Sequence, residues 1–127
     1  WLLKARLLSD GGYHTEALKI LTSTPDDPID SQAEQLEWVY RKARVFDGLG
    51  RTDEALQNYA TTIRLGENST SYYAARAALQ TGQIYENRGN KALAIQYYQQ
   101  CLNMDYIEYK NSLDQRAKSG IARCKGE

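Results

Sequence analysis

Proline occurs only twice in this chain, at Pro25 and Pro28, and both fall in one acidic stretch between Ser23 and Asp30. On either side no ring removes a backbone donor, so long helices are permitted there. Histidine occurs once, as His14, without an HExxH spacing or any other partner, which leaves no zinc site and no histidine general base to assign. The two cysteines, Cys101 and Cys124, form no CxxC spacing and read as small buried thiols. Asp26, Asp27 and Asp30 lack the ligand spacing and glycine of an EF-hand. No apolar run approaches the roughly 20 residues of a spanning helix. Neither sign of charge prevails, with 16 Lys plus Arg against 16 Asp plus Glu, so no global field favours nucleic acid or an anionic membrane. No segment alternates with period two, so no strand is expected. Catalytic residues, cofactors and metals are accordingly left unassigned.

What the chain does have is helical periodicity, cut by glycine. Apolar residues cluster over 1–8 until Gly11 and Gly12, and Ala17, Leu18, Ile20 and Leu21 follow as a second helix. Ser31 with Glu34 forms a capping box, after which Leu36, Val39, Tyr40, Ala43, Phe46 and Leu49 recur at helical spacing. Gly48 and Gly50 end that helix, and Ala55, Leu56, Tyr59 and Ile63 give the next its apolar stripe. A third pair turns at Gly89 and Asn90, and a last helix carries Leu113, Ala117, Gly120, Ile121 and Cys124.

These pairs share one ruler. Small residues stand at Ala5, Ala43, Gly82 and Gly120, separated by 38, 39 and 38 residues. Around the first three, a glycine follows seven later (Gly12, Gly50, Gly89), an alanine five after that (Ala17, Ala55, Ala94), and a large residue four further on (Leu21, Tyr59, Tyr98). A small residue lets two helices approach closely, and the glycine supplies the left-handed turn between them. The pattern resembles the tetratricopeptide repeat, whose signature has a period of 34; the longer period here adds about one helical turn per repeat. The resemblance implies an all-α fold: a right-handed superhelical stack of antiparallel helical hairpins, about three repeats plus a C-terminal capping helix. The expected boundaries are residues 1–24, 31–66 and 69–104 for the hairpins and 106–124 for the cap. Because Trp1, Leu2 and Leu3 begin mid-helix without an initiator Met, the chain is expected to be the C-terminal part of a longer repeat protein. That apolar edge also offers a surface for self-association. Compartment stays open between cytoplasm, periplasm and membrane attachment through parts beyond this sequence.

Members of the resembled family hold ligands along the concave surface made by the first helices of successive hairpins. Projection onto this chain selects Arg6, Tyr40, Arg44, Asp47, Arg76, Leu79 and Gln83 as candidates for holding a peptide by its backbone and charged side chains. Some relatives clamp a peptide's terminal carboxylate with Lys and Asn where this chain has Tyr40 and Arg44, so that specificity is not carried over. The expected role is a non-catalytic protein–protein interaction scaffold with a protein or peptide partner and no nucleic acid. Two other roles fit the same residues: a spacer or cap within a longer solenoid, or an accessory domain of an enzyme whose active site lies elsewhere.

Overall fold

The computed structural model describes residues 32–66, 72–104 and 110–126, together with Thr15 and Lys19, which are helical and exposed. Every described element is helical: α1 (Gln32–Gly48), α2 (Thr52–Gly66), α3 (Tyr73–Asn87), α4 (Lys91–Asn103) and α5 (Lys110–Lys125). No strand occurs among the described residues. The chain divides into two compact units, Trp1–Thr61 and Thr62–Glu127. The first expected hairpin, the edge at Trp1, Leu2 and Leu3, and the candidate Arg6 lie outside the described residues.

The two described turns are built alike. After α1, the Gly50 amide donates to the Asp47 carbonyl at 3.1 Å and the Arg51 amide to the Phe46 carbonyl at 2.9 Å. After α3, Gly89 donates to Glu86 at 3.0 Å and Asn90 to Tyr85 at 2.9 Å. This pattern closes a helix only if one residue turns left-handed, and Gly50 and Gly89 do so with φ of 77° and 81°. The starts of the second helices differ. Asn90 caps α4 by accepting from the Leu93 amide at 3.3 Å, whereas Arg51, 39 residues earlier, forks onto the Glu54 carboxylate with both contacts at 2.6 Å.

In the first unit, α1 and α2 meet through Tyr40 and Tyr59, whose ring centroids are 6.1 Å apart, with Ala43 and Ala55 fully buried. In the second unit α4 lies against both α3 and α5, which also touch each other. The contact that sets their spacing is the ring of Tyr98 on α4. A Cβ added to Gly82 on α3 would meet that ring at 2.7 Å, and one added to Gly120 on α5 would meet it at 2.5 Å. The ring is therefore held between two glycines on two different helices, and the step from Gly82 to Gly120 acquires a physical cause. Leu113, Ala117 and Cys124 complete the buried stripe of α5.

Alanine at either glycine brings better helix propensity by about 1 kcal/mol but crowds the body of the ring, an overpacking cost of about 2 kcal/mol. Gly82→Ala and Gly120→Ala should each lose roughly 1 kcal/mol, because the ring can still lean toward the remaining glycine. The double variant leaves it nowhere to lean and should lose clearly more than the sum, with Tyr98→Leu restoring part of the loss. Urea midpoints followed by far-ultraviolet circular dichroism check this; strict additivity would show that the two glycines do not share the ring.

Candidate functional site

Tyr98 buries its ring but not its chemistry. Its hydroxyl donates to the Glu86 carboxylate at 2.6 Å, and the same carboxylate receives the Arg123 guanidinium at 2.9 and 3.1 Å. One residue from each of α3, α4 and α5 thus meets at one point. Burial and the adjacent carboxylate push the Tyr98 phenol above its ordinary range, while the Arg123 hydrogen bond holds the Glu86 carboxyl below 4.5. The first unit has a counterpart: Tyr59 donates to Asp47 at 3.0 Å, and Arg44 stands 3.8 Å from the same carboxylate. Burial opposes the Arg44 charge, but Tyr59, Tyr40 and Asp47 outweigh it and raise its pKa.

Two of the sequence-derived candidates need correction. Tyr40 and Leu79 are each 0% exposed, so neither presents a groove surface. Both lie on helices whose apolar faces are broader than one stripe: α3 buries Tyr73, Ala74, Ala75, Ala77, Ala78, Leu79, Gln80, Thr81 and Gly82. A rule that steps one residue beyond a core position therefore lands in the core again. Asp47 and Arg44 are brought together, but around the Tyr59 hydroxyl inside their own hairpin.

Arg76 and Gln83 fare differently. Within the run 73–82 Arg76 alone is not buried, and it reaches out over the Tyr72 ring at 5.5 Å. It lines a cleft of about 210 Å³ with Tyr72, Ser112, Leu113 and Arg116. Next along the same two helices is a second depression of about 160 Å³, lined by Gln83, Gln115, Arg116, Ser119 and Arg123. Arg116 borders both, so the two depressions adjoin along α3 and α5 as a shallow trough divided at Arg116. Residues near 72–76 face 112–116, and Glu86 faces Arg123, so the two helices run in the same direction. Sequence projection missed Ser112, Arg116 and Ser119. Their signal is nonetheless present, since 112, 116, 119 and 123 form one polar stripe at helical spacing. Among the described residues no group of His, Cys, Asp or Glu is placed to hold a metal ion, and no helix is long and apolar enough to cross a membrane.

The junction at Glu86 gives a pH signature. A carboxyl with a lowered folded-state pKa contributes stability that is complete above its ordinary 4.5 and is lost as pH falls through the lowered value. Glu86→Gln should cost about 1 kcal/mol at pH 7, a modest figure because Arg123 is half in water. The gap between wild type and variant should close below pH 4.5, as followed by urea unfolding at a series of pH values. A gap that persisted undiminished into strong acid would assign the effect to shape instead of charge.

Residues 75–107, most of α3 and all of α4, match the family model of the tetratricopeptide repeat. No curated protein and no solved structure matches the chain. The matched span contains the left-handed turn at Gly89, the buried Ala94 and the Tyr98 ring. Within an all-helical set of described elements, α3 and α4 thus form a helical hairpin similar to a tetratricopeptide repeat.

Proposed function

We propose that the chain is a non-catalytic scaffold that holds an extended segment of a partner protein in the trough between α3 and α5. Tetratricopeptide repeats are in general protein-interaction modules. The observation that carries the finer reading is Arg76, a charged side chain emerging from an otherwise buried run of ten residues and opening into a cleft. From Ser112 to Arg123 the α5 stripe spans about 16 Å, the length of roughly five extended residues. Gln83, Gln115, Ser112 and Ser119 supply amide and hydroxyl groups suited to a peptide backbone. In this reading the hairpins at 1–24, 31–66 and 69–104 are successive repeats, followed by the helix at 106–124 as a cap.

Selection of a random peptide display library on the chain, followed by rebinding to Ser119→Trp, tests the site. Ser119 is exposed, so the indole should fill the trough without disturbing the core. Selected peptides should lose binding by about tenfold or more. Peptides that bind the Ser119→Trp variant unchanged would remove the trough from consideration and favour a spacer role for these helices.

A further inference from the structure

We propose that the depression bordered by Gln83, Gln115, Ser119 and Arg123 takes an uncharged stretch of the partner's main chain, in which Arg123 donates to a carbonyl oxygen and Glu86 is the positioning residue that aims the guanidinium and cancels its charge. This inference rests on the trough being the binding site. It is carried by how Arg123 is held.

A guanidinium has five N–H donors in one plane. Arg123 spends its Nε–H and one hydrogen of Nη2 on the two oxygens of Glu86, at 2.9 and 3.1 Å, and the Nη1 hydrogens take no part in that fork. The side chain is still 54% exposed and lines the depression, so those hydrogens are offered to whatever lies there.

The grip is set before a ligand arrives. Tyr98 on α4 donates to the Glu86 carboxylate at 2.6 Å, so the acceptor that holds Arg123 is itself fixed from a second helix. An arginine already fixed loses little freedom on binding.

The repeat does not call for a cation at this point. The residues at the same register 38 and 77 positions earlier are Tyr85, stacked on Tyr97 with centroids 5.7 Å apart, and Phe46, which is buried. Where the two earlier first helices pack a ring, α5 places a guanidinium at the edge of the trough.

The pairing also decides what Arg123 can recognise. A bare guanidinium favours a carboxylate, whereas one joined to Glu86 offers an incoming carboxylate attraction and repulsion at nearly the same distance, and the two largely cancel. A peptide carbonyl meets the same N–H groups without that opposition. The neighbouring side chains match it: Gln83 from α3, with Gln115 and Ser119 from α5, are uncharged and carry both donors and acceptors. Arg116 adds a charge at the divide with the other depression, and it acts alike on the wild type and on every variant below.

Two hexapeptides blocked at both ends, one alternating alanine with glutamine and the other alanine with glutamate, serve as probes in a nuclear magnetic resonance titration of the full chain. The glutamine peptide should bind with a Kd of about 1 mM and move the backbone signals of residues 83, 115 and 119 together with the Arg123 Nε–H. The glutamate peptide should bind within about threefold of it. Glu86→Gln should weaken the glutamine peptide and shift the ratio of the two affinities by about fivefold toward glutamate, because the guanidinium is then bare. Arg123→Lys, which keeps the charge and loses the fork, should weaken the glutamine peptide by about fivefold. Tyr98→Phe disturbs the same junction but leaves the Arg123 pair in place, so it should keep the ratio within about twofold of wild type. Urea midpoints establish that each variant is folded.

A ratio unmoved by Glu86→Gln overturns the proposal. So does an equal shift with Tyr98→Phe, which would give Glu86 a purely structural role, or no movement of those signals with the glutamine peptide up to about 20 mM. The two proposals can fail separately. If display-selected peptides are blocked by Ser119→Trp yet bind Glu86→Gln and Arg123→Lys as they bind the wild type, the trough stands and this role for the pair falls.

Discussion

The ring of Tyr98 fills the places that a Cβ on Gly82 of α3 and a Cβ on Gly120 of α5 would need. Aromatic rings are rigid and large, and a closely packed interior does not give way around them. Fixing one ring between two backbones therefore fixes the distance and the register of three helices at once. That register carries Glu86 opposite Arg123, and it carries the polar stripe of α5 opposite Arg76 and Gln83. The trough is a consequence of the wedge: a side chain with a Cβ at either glycine would push α3 or α5 away from α4 and change the width between the arginines.

A buried ring with a hydroxyl brings an obligation, because a phenol deprived of water needs an acceptor. The chain meets it the same way twice. Tyr59 donates to Asp47 and Tyr98 to Glu86, in both cases to a carboxylate 12 residues earlier. One step of 38 residues further back, Leu21 stands at the tyrosine position and Ser9 at that of the acid. Where the hydroxyl is missing, so is the carboxylate that would receive it. Asp47, which the sequence offers as a groove charge, and Glu86 are thereby assigned to the tyrosines of their own hairpins. They would be poor ligands for a partner, since recruiting them would strand a buried hydroxyl.

The architecture was legible because it rests on features that are local or strictly periodic. Gly50 and Gly89 mark turns that need positive φ, and Ala55, Ala94, Tyr59 and Tyr98 are buried where the ruler places them. The residues 75–107 that match a repeat model begin and end within that periodicity. The site was legible only in part. Arg76 and Gln83 line the trough, but Tyr40 and Leu79 are core, because a helix that buries nine of its first ten residues has no ordinary apolar stripe from which to count outward. Arg116 and its neighbours were missed for a different reason. Projecting α3 positions onto α5 assumes that both helices present the same flank, whereas a trough between parallel helices is walled by the flank of one and the facing flank of the next.

Net charge concealed the last feature. Sixteen cations and sixteen anions spread along a sequence suggest an electrically featureless surface. Folding sorts them, because an ion held in a pair contributes little field beyond a Debye length of about 8 to 10 Å, and an ion without one contributes all of it. On α3 and α5 both acids are bound to neighbours whose positions the Tyr98 wedge and the helix spacing dictate. The same packing that closes the interior thus also decides which charged groups of these two helices hold one another.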